Sequence, residues 1–504
     1  MRALLRKMAF LSLSSIALCL GVAFLLREPG YMDACYYFSV AENIARGKGL
    51  MEPFLWNYLD SPTSMPHPAF TYWMPLPSIL ASPFLKLMGA NYFTARLPFI
   101  LLASLLPLLS YRTAELLQEK VGEKDEAIPF LAGFLTVFSG FYVVYWPSTD
   151  SFAPFALAGG LCLFLYGRLM EENSPVIAFL AGSMAGIAHL ARADGFFLLL
   201  PLVFVKRRPA FIAIAAYLFV MSPWFIRNCI TLGSPLPAFG AKVAFLTHYD
   251  DLFSYEKEIS WRSYLAWGVG NIVASKLKAV WLNLQTVLAV FLMVFLIVPF
   301  IIGLRRLCGV SFLRPFLLYA VVLFLMMTFV FTFPGPRGSL FHSGGALLPS
   351  ITAISAIGIK AISQAWAQRR KINPKALWKL NYMAALSLAL MVSLFALYRA
   401  AGSRQGEIYR LAEAWLKQYV SPEAVVMVVD PPCFYYHTKR PCIAIPNGDE
   451  ETVLQVARRY NASFLLLEPD HPRPLASLYV SPHSHPGFEP VATFGKVILF
   501  RIGP

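Results

Sequence analysis

Long apolar runs alternate with short basic loops over most of this chain. Runs near 8–26, 93–114, 128–146, 151–170, 175–191, 195–206, 209–226, 281–304, 312–333, 344–362 and 380–399 each predict a membrane-crossing helix. That makes about eleven, since ~20 apolar residues span the ~30 Å hydrocarbon layer. Past residue 401 the pattern changes. Ala424 to Val429 and Ser463 to Leu467 are apolar runs of strand length bounded by turn residues, and Glu450 to Tyr460 between them has helical spacing. Val491 to Phe494 and Val497 to Ile502, separated by Gly495-Lys496, predict a closing hairpin. The expected fold is an all-α polytopic membrane bundle over residues 1–400, followed by a small extracytoplasmic α/β domain over 401–504.

Composition agrees. At 57% hydrophobic and 14% charged residues, the chain cannot be an ordinary soluble domain. The net charge of +15 would suit a nucleic-acid partner, but its distribution excludes one. Lys206-Arg207-Arg208, Arg305-Arg306 and Arg369-Arg370-Lys371, with Lys375 and Lys379, all fall in loops between apolar runs, which is the positive-inside pattern. Arg2, Arg6 and Lys7 precede the first run, and Arg27-Glu28-Pro29 after it is a poor processing site, so an uncleaved first helix with a cytoplasmic N-terminus is expected. Parity then puts the loops 27–91 and 227–280 and the tail on the outer face of the cell's inner (plasma) membrane. The seven cysteines show no metal-ligand spacing, while Cys433 and Cys442 share an external segment where a disulfide between them is allowed. No Walker loop, dinucleotide fingerprint or His-Glu-x-x-His occurs, so nothing supports nucleotide-sugar use or ATP-driven transport.

The loop 27–91 carries the sharpest signal. Asp33 lies in Pro29-Gly30-Tyr31-Met32-Asp33-Ala34-Cys35-Tyr36-Tyr37, directly after the first span. A carboxylate beside paired tyrosines at the mouth of a lipid-embedded bundle is an expensive placement unless binding or chemistry uses it. Segments 36–48 and 76–88 predict short helices lying at the interface.

Six blocks in this order resemble the GT-C glycosyltransferases that use polyprenyl-phosphate sugars, in particular bacterial members of the protein O-mannosyltransferase and aminoarabinose transferase superfamily. They are Tyr31 to Tyr37; the Ala41 to Gly49 helix ending in Arg46-Gly47-Lys48-Gly49; His67-Pro68-Ala69-Phe70-Thr71-Tyr72-Trp73; Ala95-Arg96-Leu97-Pro98; Leu190-Ala191-Arg192-Ala193-Asp194-Gly195; and Pro223-Trp224-Phe225-Ile226-Arg227-Asn228 with Gly233-Ser234-Pro235. The resemblance covers roughly residues 27–240, and the layout of apolar runs extends it to about 400. It implies a GT-C-like bundle that moves a hexosyl or pentosyl group from a polyprenyl-phosphate donor to a lipid, protein or polysaccharide acceptor. One departure stands out: many relatives carry an acidic pair at the first motif, and here Asp33 is followed by Ala34.

Such a reaction needs a base for the acceptor proton and cations for the phosphate leaving group. Asp33 is the candidate base on both counts. Arg96, Arg192, Arg227 and Arg337 stand at external ends of spans, where the guanidinium fork suits phosphate. Interfacial snorkelling is the bland reading of Arg96 and Arg227, and a local ion pair with Asp194 that of Arg192. His67 and His342 could hydrogen-bond phosphate or ligate a divalent metal ion, the one cofactor the sequence leaves open without requiring it. Asp150 could orient acceptor or metal, or cap the helix that follows. Tyr36 and Tyr37 could stack on sugar, whereas Tyr72 and Trp73 read more simply as an aromatic belt. A transporter or flippase of a lipid-linked substrate is the alternative, yet the charged candidates gather at one face and the halves look unrelated. A catalytically dead scaffold whose tail binds a partner is a third reading.

Overall fold

The computed structural model describes residues 2–60, 62–402 and 405–503. Among the described residues, seven helices are long and apolar enough to cross a membrane: Leu5–Leu25, Tyr92–Lys120, Phe152–Leu169, Arg207–Leu232, Ser311–Val330, Gly335–Arg370 and Pro374–Ala400. The other four expected spans are shorter or interrupted. Run 128–146 becomes Ala127–Val137 and a 3-10 turn, 175–191 is the helix Pro175–Ala191, and 195–206 is the 3-10 helix Ala193–Phe204. Run 281–304 is split by a π-helical segment, Thr286–Phe291, before Ile297–Arg306.

Close backbone approach holds the bundle together, as expected where lipid removes the hydrophobic contrast between helices. A Cβ on Gly303 would meet the Ile354 carbonyl at 2.0 Å, and one on Gly358 the Pro299 carbonyl at 1.8 Å, so the helices Ile297–Arg306 and Leu348–Arg370 cross on paired glycines. Ion pairs gather the loops at one end of the bundle: Lys7–Glu126, Arg306–Glu123 and Lys360–Asp125. The loop after Leu25 lies at the other end. Within it, Met32–Ala45 and Leu76–Met88 form the two expected short helices.

The tail is an α/β unit whose six-stranded sheet runs in the order Phe54–Leu55, Cys442–Ala444, Val425–Val428, Ala462–Leu467, Val497–Ile502, Phe488–Phe494. The first three contacts are parallel and the last two antiparallel. The helix Glu450–Tyr460 forms where its spacing predicts, with Asp449 capping the Thr452 N–H at 3.0 Å. One strand comes from the first loop, so the sheet reaches across residue 401. The cysteine expectation needs correction: Cys433 bonds Cys35, at a separation of 398 residues, and Cys442 is a buried free thiol. The bond ties the tail to the helix that begins beside Asp33, and Lys439–Glu42 at 2.6 Å reinforces it.

Candidate active site

The helix Met32–Ala45 starts after Gly30, whose positive φ of +74° turns the chain out of the first span. Asp33 therefore stands in its first turn, facing the segment Ser148–Ser151 and the kinked stretch Gly335–Gly344. There His342 Nε2 lies 3.1 Å from Asp150 Oδ2 and 3.7 Å from Asp33 Oδ2. Asp150 is buried and also accepts from the Tyr31 hydroxyl at 3.1 Å. Asp33 keeps 27% of its side chain open.

One proton in this cluster can be assigned. His342 Nδ1 is 2.9 Å from the Gly338 carbonyl, which can only accept, so Nδ1 carries the hydrogen. Nε2 faces the two carboxylates, to which it either donates a second proton or, without one, stands beside them as a third ligand atom. That arrangement suits a cation, and a ligating histidine commonly donates its other N–H to a carbonyl. Ligand atoms of Asp33, Asp150 and His342 all lie within 4.8 Å of one another. Burial together with the Asp150 charge pushes the Asp33 carboxyl up to about 6. Burial opposes the Asp150 charge as well, but His342 and the Ser151 N–H hold that carboxyl below its usual range.

Arg192 brings positive charge to the same place. Its Nε donates to Asp194 Oδ1 and to Ser343 Oγ, both at 3.0 Å, and Ser343 in turn donates to Asp194. The ion pair with Asp194 thus exists, and it orients a guanidinium within electrostatic reach of Tyr37, Asp150 and Asp33. Its Nη groups make no hydrogen bond among the described residues. Arg337 is exposed, 4.6 Å over the Tyr249 ring, and Asp33 acts electrostatically on the Tyr249 hydroxyl.

Other candidates lie elsewhere. Arg96 is buried, donates to the Ala23 carbonyl at 2.9 Å and covers the Tyr92 ring, so it closes a helix contact, and burial keeps its guanidinium from phosphate although Nε has no partner among the described residues. Arg227 is spent on the Ala69 carbonyl at 2.9 Å and on Asn228. His67 is sealed against Glu52, and Tyr36 is buried behind the site with its hydroxyl on the Phe70 N–H. Tyr37 is buried yet close to Asp33 and Arg192. Sequence reasoning missed Tyr31, Ser343 and Tyr249. A hydroxyl one position past His342 gives no pattern of its own, and Tyr249 lies in a loop that lacks any motif.

No protein-family model and no curated protein matches the sequence. Solved structures do. The oligosaccharyltransferase AglB of Archaeoglobus fulgidus, in complex with an inhibitory peptide and a dolichol-phosphate, superposes with a TM-score of 0.61 over 92% of this chain and 69% of its own, at 14% identity. ArnT of Cupriavidus metallidurans bound to undecaprenyl phosphate gives 0.55 over 97% of this chain and 98% of its own, at 12% identity. The arabinofuranosyltransferase AftD from Mycobacteria gives 0.51 over 99% of this chain but 42% of its own, at 14% identity. The chain has the GT-C fold. A GT-C bundle with a C-terminal domain is what the apolar pattern and the six sequence blocks predict, and it makes this a multi-pass membrane protein.

Proposed function

We propose that the protein is a membrane glycosyltransferase that moves a sugar from a polyprenyl-phosphate donor to an acceptor on the outer face of the cytoplasmic membrane. The observation that carries this reading is the convergence of a partly open carboxylate, Asp33, with Asp150, His342 and Arg192 at one end of a lipid-embedded bundle. The acceptor hydroxyl or amine attacks the anomeric carbon, the bond from that carbon to the phosphate oxygen breaks, and the polyprenyl phosphate leaves with the electron pair. Asp33 takes the acceptor proton. Arg192, braced by Asp194 and Ser343, and Arg337 on its exposed turn face the charge that grows on the phosphate. A divalent ion held by Asp33, Asp150 and His342 would supply further positive charge to phosphate oxygens. The disulfide between Cys35 and Cys433 supports an oxidising, extracytoplasmic setting for this face.

The deciding experiment is transfer from a panel of labelled polyprenyl-phosphate sugars by purified protein, wild type beside Asp33→Asn. Wild-type transfer that collapses in the variant is expected. Undiminished transfer by Asp33→Asn removes the base, and donor binding without transfer by wild type points back to transport. Orientation has its own check: a cysteine placed at Ser481, with the exposed Cys229 and Cys308 removed, should be labelled from outside intact cells.

A further inference from the structure

The same loop holds a second carboxylate–histidine pair that the proposed reaction leaves unused. Glu52 and His67 face each other across a two-stranded ribbon, with Glu52 Oε1 3.0 Å from His67 Nε2 and both side chains sealed from solvent. The same nitrogen is 3.2 Å from the Phe54 carbonyl. Both partners accept, so Nε2 carries a proton and donates to them. Taking such a pair out of water is costly, which leaves fixed geometry as the best-attested return.

The geometry it fixes lies two steps away. The Tyr36 hydroxyl accepts from the Phe70 N–H at 3.0 Å and has one proton of its own to give, and the Glu52 carboxylate, whose Oε2 has no hydrogen-bond partner among the described residues, lies within electrostatic reach of it. Phe70 has φ +65°, a left-handed backbone that a bulky side chain avoids, so something must hold it there. Tyr36 does so directly, and Arg227 ties down the preceding Ala69 carbonyl. Beyond Phe70 the chain turns to present Tyr72. This ring is half-buried, lies edge-on to Trp56 at 5.1 Å, and its hydroxyl is within electrostatic reach of Asp33, Arg192 and Tyr249.

We propose that Glu52, His67 and Tyr36 are positioning residues: they lock Phe70 in its left-handed turn and thereby deliver the Tyr72 hydroxyl to the reaction centre, where it touches the transferred sugar. This rests on the glycosyl-transfer reading above. Tyr72 is then part of the site, whereas the pair behind it never meets substrate.

A double-mutant cycle tests it in the transfer assay, with wild type and Asp33→Asn run alongside. Tyr36→Phe and Tyr72→Phe should each lower kcat/KM by about tenfold or more, as a misplaced substrate contact does. The double variant should be no worse than Tyr72→Phe alone, because Tyr36 acts through Tyr72. Wild-type rates for Tyr36→Phe, or losses that multiply in the double variant, overturn the proposal, since a purely structural role gives independent effects. Should Tyr36→Phe fail to fold, Glu52→Gln keeps the volume and takes its place in the cycle. A readout without turnover is nitration of Tyr72 by tetranitromethane. A polyprenyl-phosphate sugar should protect Tyr72 in wild type but not in Tyr36→Phe, and equal protection in both defeats the relay. Wild type that transfers no sugar from any donor defeats the glycosyltransferase reading, whereas normal turnover by both wild type and Tyr36→Phe defeats the relay alone.

Discussion

Two largely buried carboxylate–histidine contacts of nearly equal length stand among the described residues, 3.1 Å at Asp150–His342 and 3.0 Å at Glu52–His67. They differ in access and in what surrounds the ring. His342 is 12% exposed beside the open Asp33 and, tied through Nδ1 to the Gly338 carbonyl, turns Nε2 toward two acids. His67 and Glu52 are 4% and 2% exposed, and His67 donates its Nε2 proton inward. The first pair can accept a cation or substrate. The second is closed to both, because His67 donates to Glu52 and to the Phe54 carbonyl in a place that solvent does not reach. The same two residue types thus make either a reaction centre or a brace, and the surrounding chain decides which.

The largest test of that contrast is to neutralise one acid on each side. Asp33→Asn should lower transfer by about 10²–10⁴-fold, the usual worth of a positioned general base. Glu52→Gln, which keeps shape and hydrogen bonding, should cost only about tenfold, through geometry. Steady-state rates of the two variants check this, and equal losses would erase the distinction between centre and brace.

A third acid sharpens the comparison because it is sealed without a cation. Glu468, in the tail, accepts from the Tyr409 hydroxyl at 2.9 Å, and among the described residues no basic side chain pairs with it. Burial pushes its carboxyl up to about 7 from an ordinary 4.5. The folded state therefore binds this proton more tightly than the unfolded chain does. Its stabilising effect is full below about pH 4.5 and is lost as pH rises through about 7, a loss of ~3 kcal/mol in all. Hydrogen exchange in the strand Ala462–Leu467 of the full chain, corrected for intrinsic rates, should show protection falling between pH 5 and pH 8. Glu468→Gln should flatten that slope, and an unchanged slope would assign the effect to another group.

Local pattern carried much of this architecture. The tail helix Glu450–Tyr460 and the hairpin after Phe488 follow from spacing and turn residues alone. Asp33, Asp150, Arg192 and His342 were legible because charge at the end of a span is conspicuous. Legibility ended where partners are far apart in sequence. Nothing near Cys433 points to Cys35, and the two-residue strand Phe54–Leu55 is too short to show a period. Continuity of the spans was harder to read: Ala193–Phe204 winds as a 3-10 helix and the stretch after Gln285 turns π-helical, although both are apolar enough for lipid. Burial was the other blind spot. His67 and Arg96 have the chemistry expected of a site, and only the fold shows that other residues cover them.

The arginines allow the smallest and most direct test of that last point. Arg192 and Arg96 are both largely buried, and both stand where the sequence expects phosphate ligands. Arg192 has its Nε fixed by Asp194 and Ser343 and its Nη groups without a partner among the described residues, so it is pre-organised for an anion. Arg96 spends Nη1 on the Ala23 carbonyl and lays its plane 3.9 Å from the Tyr92 ring, so it serves the contact between the first span and the helix Tyr92–Ala103. Arg192→Lys, which keeps a cation beside Asp194 but loses the planar fork, should weaken binding of a polyprenyl phosphate by about tenfold, the worth of one charge-assisted hydrogen bond, with little change in thermal stability. Arg96→Ala should do the reverse, lowering the unfolding temperature while leaving the affinity of the folded fraction alone. Donor titrations and melting curves of the two variants decide it: if Arg96→Ala weakens the donor and Arg192→Lys weakens the fold, the site has been drawn around the wrong arginine.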